Sequence, residues 1–128
     1  MHSSIARAGS RKAVLVHPVF RTERGSLDAP GVAGSLLDRA GLRGFKADLG
    51  ETLPVDDANV LLGLGRNNDL RTIDLRQAGA RFVKAVERLG IGAARIDLAA
   101  AAGRGGIDPA AAGAAFGEGV AIGDWRVV

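Results

Sequence analysis

The sequence has 128 residues, of which 47% are hydrophobic and 24% charged, with a formal net charge of +3, so it is expected to fold as one globular domain. It contains no cysteine, which excludes disulfides, thiolate nucleophiles and cysteine-ligated metals. No apolar run approaches the ~18 residues that cross a bilayer, and we therefore expect no membrane partner and a cytoplasmic location.

The first half of the chain predicts a tail, three strands and one short helix. Residues 1–11 are expected to form a flexible tail. The β-branched run "KAVLVHPVF" (12–20) predicts a buried strand, and "PGVAGSLLDRAG" (30–41) predicts a short helix with a glycine stop. "GETLPV" (50–55) predicts a strand at a sheet edge because of its proline, and the continuous apolar run "NVLLGLG" (59–65) predicts a strand covered on both faces.

The strongest helix pattern covers residues 72–89. Its apolar residues recur at steps of three and four and form one stripe: Leu75, Ala78, Phe82, Val86 and Leu89. Thr72 is placed to cap the N-terminus, Asp74 complements the helix dipole, and Gly90 can adopt the left-handed conformation that ends a helix. The sequence therefore predicts both the start and the end of this helix.

The last part predicts a strand at "AARIDLA" (93–99), a flexible connection at "AAAGRGG" (100–106) and a second long helix. That helix should begin at Asp108-Pro109, an N-cap followed by a proline at the first helical position, and run to about Gly123. Several internal glycines lower its intrinsic propensity by about 1 kcal/mol each. We therefore expect its backbone to pack closely against a sheet or another helix.

The stretch Gly63-Leu64-Gly65 follows a strand and precedes a helix, as in a dinucleotide-binding turn. That fingerprint requires a third glycine where this sequence has Asn68, and the helix begins late, at Thr72. The glycines are therefore interpreted as a strand end that turns.

Other side chains give little support for catalysis. His2 lies in the predicted tail and His17 in a strand beside a proline, so His17 is expected to be packed, hydrogen-bonded or partly exposed. Asp56-Asp57 is interpreted as a turn, and Glu118 as a partner of a backbone group or an arginine. We predict no catalytic, cofactor-binding or metal-binding residue in the chain.

The order of several segments resembles the N-terminal domain of the leucyl aminopeptidase (cytosol aminopeptidase) family. These segments are "GFKADLGE", "VLLGLG", a helix containing Leu75-Arg76, the strand "ARIDL" and the final "FGEGVAIGDWRV". The last is the most specific, since Glu118, Gly119, Trp125 and Arg126 match the family pattern. Val127 departs from it, because the family has a second aromatic residue there.

The resemblance implies that residues 12–128 form a domain of this type, with an α/β fold similar to macro domains and a central mixed sheet flanked by helices. It implies an accessory role in assembly and in access to the active site, in a homo-oligomeric parent enzyme. The two catalytic metals, such as Zn or Mn, would be held by a C-terminal catalytic domain that this chain lacks. The chain alone is then not an enzyme.

Two alternatives remain. One is a macro-type module that binds ADP-ribose or a related nucleotide through the glycine loop of residues 31–34 and the glycine strand; its candidate residues are Gly31, Val32, Ala33, Gly34, Gly63 and Gly65. The other is contact with DNA, suggested by the positive charge. Nucleic acid is not expected as a partner, because the arginines are scattered among acidic residues.

Overall fold

The computed structural model describes residues 3–7, 13–29, 31–66, 70–121 and 125–127, and it describes side chains within residues 13–29, 31–66 and 70–121. The strands are β1 (Ser3–Arg7), β2 (Val14–Arg21), β3 (Leu27–Asp28), β4 (Thr52–Pro54), β5 (Asn59–Arg66), β6 (Ala93–Ile96) and β7 (Trp125–Val127). The helices are α1 (Gly34–Leu42), α2 (Thr72–Leu89), α3 (Ala99–Arg104) and α4 (Pro109–Val120).

The described strands form one sheet in the order β4-β5-β2-β6-β1-β7, and β3 pairs only with the end of β2. β2 is parallel to both β5 and β6, whereas β1, β3, β4 and β7 pair in antiparallel fashion. The predicted class, an α/β domain with a mixed sheet flanked by helices, is confirmed. Pro54 lies on the edge strand β4, which fits its missing N–H group.

Both faces of the sheet are buried, and β5 shows this residue by residue. Val60, Leu62 and Leu64 belong to the larger core, which contains the buried faces of α2, α3 and α4. Leu61, between them, belongs to a smaller core together with Leu37 of α1. Because successive side chains of a strand point to opposite faces, α1 covers one face and α2, α3 and α4 cover the other.

The helices α2 and α4 pack backbone to backbone through glycines. A Cβ atom on Gly119 would lie 1.9 Å from the Arg76 carbonyl oxygen, and one on Gly79 would lie 2.4 Å from the Phe116 carbonyl oxygen. The rings of Phe82 and Phe116 meet beside this crossing with centroids 6.0 Å apart. The prediction that the glycine-rich helix packs closely against another element is therefore confirmed.

The predicted bounds of α2 are confirmed at both ends, with one correction. Arg71, and not Thr72, occupies the N-cap, and the Asp74 carboxylate accepts a hydrogen bond from the Arg71 backbone N–H at 2.9 Å. Gly90 ends the helix with φ of 73°, as expected. Leu89, assigned to the apolar stripe, is the last residue of the helix and is 46% exposed.

The predicted flexible tail is wrong for residues 3–7. They form β1, which is hydrogen-bonded between β6 and β7. The remaining residues of the tail lie outside the described part of the chain, as does Lys12.

The predicted flexible connection at residues 100–106 is also wrong, since most of it belongs to α3. The Asp97 carboxylate accepts from the Ala99 N–H at 3.0 Å, which supports the first turn, and Ala101 and Ala102 are buried in the larger core. Helix α4 begins at Pro109 after the Asp108 cap, as predicted, but ends at Val120; Gly123 lies outside the described residues.

Within the described residues, none of the helices combines the length and apolarity that a bilayer span requires.

Candidate functional site

A crevice opens at the carboxyl ends of β2 and β5, two neighbouring parallel strands. The chain leaves β2 toward α1 on one face of the sheet and leaves β5 toward α2 on the other. In open α/β sheets such a point, where adjacent connections diverge to opposite faces, is the usual place for a ligand. The topology therefore indicates a ligand site at this edge of the sheet.

The residues at this edge form an open cleft of about 700 Å³, which we call the arginine cleft. Its charged residues are Arg21 at the end of β2, Arg66 at the end of β5, and Arg71 and Asp74 at the start of α2. The remaining walls are apolar or glycine: Leu49, Leu64, Gly65 and Leu70. Three guanidinium groups thus face a cavity that has one acidic side chain in its lining.

Arg21 and Arg66 are direct neighbours in the sheet. The pairing of β2 with β5 shifts register between Val19 and Arg21, and the shift brings Arg21 opposite Arg66. Like charges at facing strand positions repel each other. The register shift therefore places two cationic residues on adjacent strands at the crevice.

The three arginines differ in how far their charge is compensated. Arg21 donates to the Asp48 carboxylate at 2.7 Å, and its side chain is 31% exposed. Arg71 lies 3.3 Å from the Asp74 carboxylate, but its own side chain is 74% exposed, and such surface pairs contribute only about 0–1 kcal/mol. The Arg66 side chain is exposed and has no hydrogen bond or ion pair to any other part of the chain that the structure describes.

The backbone N–H groups of Gly63 and Gly65 donate hydrogen bonds to other backbone groups. The Gly63 N–H donates to the Glu51 carbonyl at 2.7 Å, and the Gly65 N–H donates to the Ala47 carbonyl at 2.8 Å. A Cβ atom on Gly63 would lie 2.2 Å from the Asp48 carbonyl oxygen. These amide groups are therefore already engaged and are not available to bind a phosphate, although Gly65 lines the arginine cleft.

The other glycine loop lies away from the arginine cleft. Gly31 has φ of 76°, Ala33 is the N-cap of α1, and the Val32 N–H donates to the Ala29 carbonyl at 3.3 Å. None of the residues from Gly31 to Gly34 lines this cleft. The structure therefore does not bring the two glycine motifs together around one cavity.

A second cleft of about 760 Å³ lies between the β2–β3 hairpin and α1. Leu27, Leu37 and Phe45 supply its apolar walls, and Leu42 at its rim is 88% exposed. Arg21 lines both clefts, so its fixed side chain separates them.

His17 is half-buried and hydrogen-bonded, as expected, with Nε2 2.9 Å from the Asn59 Oδ1 atom. The Asn59 amide donates in turn to both Asp56 carboxylate oxygens at 3.1 Å. The backbone N–H of Ala58, followed by the Asn59 side chain, holds the pKa of Asp56 below its ordinary value. This network stabilises the turn between β4 and β5, where the sequence predicted a turn.

Glu118 lies on α4 with its carboxylate 3.9 Å from the Arg76 Nε atom, and both side chains are more than 60% exposed. It thus faces an arginine on α2, one of the two partners expected from the sequence. Among the described residues, no group of three or more His, Asp or Glu side chains is arranged to hold a metal ion.

No protein-family model matches the sequence, and a search of curated proteins found no match. Among solved structures, the chain is similar to the bottromycin maturation enzyme BotP, with 27% sequence identity and a TM-score of 0.56. The similarity covers 84% of this chain and 22% of that chain. The chain therefore spans about a fifth of the length of the solved structure that it matches.

Proposed function

We propose that this chain is the N-terminal accessory domain of a metal-dependent aminopeptidase of the leucyl aminopeptidase type, and that it has no catalytic residues of its own. The observation that supports an accessory role is the similarity to BotP, since most of this chain corresponds to a minor part of a much longer enzyme. The leucyl aminopeptidase type is proposed from the order of the sequence segments alone. A unit that accounts for about a fifth of an enzyme leaves room there for a separate catalytic domain.

The positions of the family-like segments support the accessory role. "VLLGLG" lies in β5, where Gly63 packs against the backbone of residues 47–48. In "FGEGVAIGDWRV", Gly119 permits the close contact between α4 and α2. The glycines of these two segments therefore have packing roles that do not require a reaction to explain them.

In the proposed parent enzyme, two divalent metals such as Zn or Mn are held by the C-terminal catalytic domain. The present domain contributes to a cytoplasmic homo-oligomer and to the shape of the path into its active site. Its natural partner is then the catalytic domain itself.

The first test is a peptidase assay on the purified chain with leucyl-p-nitroanilide and added Mn²⁺ or Zn²⁺. The proposal expects no release of p-nitroaniline. Metal-dependent turnover that copurifies with the chain through two orthogonal columns would overturn the assignment as a non-catalytic domain.

The second test concerns the natural reading frame. The proposal expects the codons after Val128 to encode a domain with lysine, aspartate and glutamate metal ligands. If so, deletion of residues 1–128 from that longer protein should change the number of subunits in its oligomer, as calculated from the mass in light scattering. A longer protein without such a domain would contradict the proposal.

The macro-type alternative retains one supporting observation, the arginine cleft at the carboxyl ends of parallel strands. Against it, the amide groups of Gly63 and Gly65 are engaged by the chain itself. Calorimetric titration with ADP-ribose separates the two functions, because micromolar affinity favours the module and absence of binding favours the accessory role. A salt-dependent gel shift with duplex DNA would be needed to support DNA contact.

A further inference from the structure

We infer that the arginine cleft is a binding site for a small multivalent oxyanion, a phosphate- or carboxylate-bearing molecule, with Arg66 and Arg71 as its ligands. This inference does not depend on the accessory role, because a domain without catalytic residues can still bind a ligand. It concerns the residues at the crevice, and not the glycine loops considered as a nucleotide site.

The positive charge of Arg66 lacks a compensating acid in the part of the chain that the structure describes. Arg66 faces Arg21 across the sheet, and no acidic side chain among the described residues compensates Arg66. Arg21 is already paired with Asp48, so a bound anion between Arg66 and Arg71 would compensate the charge that remains, that of Arg66. Places where a fold keeps an unfavourable local arrangement are commonly functional sites.

The side chains that line the cleft suit an oxyanion. A guanidinium group presents planar paired donors that match carboxylate and phosphate oxygens. Leu64 and Leu70, which are 2% and 5% exposed, also line the cleft. Apolar lining residues lower the local dielectric constant and strengthen the attraction between the arginines and an anion.

The arginines of the cleft differ in whether their side chains are free to bind a ligand. Arg21 is fixed by Asp48 and also donates to the Lys46 carbonyl at 3.5 Å, so it serves as a wall of the cleft. Arg71 is mostly exposed, and its two contacts with the Asp74 carboxylate, 3.3 Å from Nε and 3.4 Å from a terminal guanidinium nitrogen, are long, so a multivalent anion can compete for these donors. Asp74 itself is turned to the Arg71 backbone N–H, which partly offsets its repulsion of a ligand.

The size of the cleft limits the ligand. A volume of about 700 Å³ falls within the ~300–1,000 Å³ that is usual for small-molecule sites. A free pyrophosphate or citrate ion is small enough to enter and carries enough oxygens to reach two guanidinium groups.

The experiment titrates the purified chain calorimetrically with inorganic pyrophosphate and, separately, with citrate. The variants are Arg66→Ala and Arg71→Ala, and the matched control is Arg88→Ala. Arg88 lies on the exposed last turn of α2, about 25 Å along the helix from Arg71, and its substitution changes the net charge by the same amount.

The expected result is saturable binding with a Kd below about 1 mM for at least one of the two ions. Arg66→Ala and Arg71→Ala should each weaken it about tenfold or more, and Arg88→Ala less than about twofold. Preference for pyrophosphate would identify a phosphate ligand, and preference for citrate a carboxylate ligand. Far-UV circular dichroism should show that all three variants are folded.

Three outcomes would overturn the inference. The first is that neither ion binds with a Kd below about 1 mM. The second is that Arg88→Ala loses as much affinity as the two cleft variants. The third is that either cleft variant keeps the affinity of the unmodified chain. Failure here leaves the accessory role intact, because that role is tested by peptidase turnover and by the downstream sequence.

Discussion

Replacement of Gly119 by alanine tests the packing of α4 against α2 most directly. The added Cβ atom would lie 1.9 Å from the Arg76 carbonyl oxygen and 2.8 Å from the Ala80 amide nitrogen. Both atoms belong to the backbone of α2 and cannot rotate away as the end of a side chain could. The two helices must therefore separate by roughly 1.5 Å to restore an ordinary contact of about 3.5 Å.

This separation weakens contacts on both sides of the crossing. Phe116 and Val120 on α4 are almost fully buried, and the Phe116 ring packs on Phe82. Overpacking of a well-packed core costs about 1–3 kcal/mol and more where the backbone cannot yield. Alanine returns up to about 1 kcal/mol through its higher helix propensity. The expected net loss is about 2 kcal/mol or more of unfolding free energy, which lowers the melting temperature by roughly 6–10 °C.

Urea denaturation followed by far-UV circular dichroism measures the effect, and Gly41→Ala is its matched control. Gly41 is an exposed residue of α1 at which an added Cβ atom would have no neighbour within 4 Å. Its substitution should leave stability unchanged or raise it by up to about 1 kcal/mol. Equal stability of Gly119→Ala and Gly41→Ala would refute the inferred backbone contact.

Three further predictions concern a helix cap, a glycine inside a strand and a turn. Asp108→Ala should lower the unfolding free energy by about 1 kcal/mol, read from the urea midpoint, because the Asp108 carboxylate accepts from the Ala111 N–H at 3.1 Å. Gly63→Ala should lower the thermal midpoint, because its Cβ atom would lie 2.2 Å from the Asp48 carbonyl oxygen; a midpoint equal to that of the unmodified chain would contradict this. The Asp56 carboxyl should titrate by NMR below its ordinary pKa. Its ionised form then favours the folded state above the pKa of the unfolded chain, and this contribution is lost as the pH falls through the lower folded pKa; a normal or raised midpoint would exclude it.

The sequence predicts α2 well because independent local signals coincide there. The apolar stripe, the acid in the first turn and the glycine after Leu89 all lie in the helix or at its ends, so contiguous sequence is enough to detect them. The close packing of α4 was predictable for a different reason. Internal glycines disfavour an isolated helix, so the helix requires a compensating contact, and Gly119 shows where that contact lies.

Strand β1 could not be predicted in the same way, because its stability depends on residues far along the chain. Ser3 pairs with Ile96, and Ile5 pairs with Val127. A five-residue segment carries too few apolar positions to reveal such long-range pairing. The segment of α3 misled the prediction because Gly103, Gly105 and Gly106 suggest a loop, whereas the preceding alanines form a buried helical turn.

The arginine cleft was missed because its residues are far apart in sequence and each resembles an ordinary surface arginine. One signal was nevertheless present. Both predicted strands, 12–20 and 59–65, are followed immediately by an arginine, Arg21 and Arg66. If the two strands are parallel neighbours, their carboxyl ends meet at the same sheet edge, and the two arginines must meet there too.

The glycines and the arginines at this edge are physically connected. Gly65 has φ of 78°, which side-chain-bearing residues rarely adopt, and its N–H is held by the Ala47 carbonyl. This conformation directs the chain as β5 ends and places Arg66 opposite Arg21, where β5 has one extra residue in its pairing with β2. Gly65 therefore contributes to the proposed anion site through the backbone, without binding the ligand. Since that contribution is conformational, replacing Gly65 by alanine should disturb anion binding without removing any charge from the cleft.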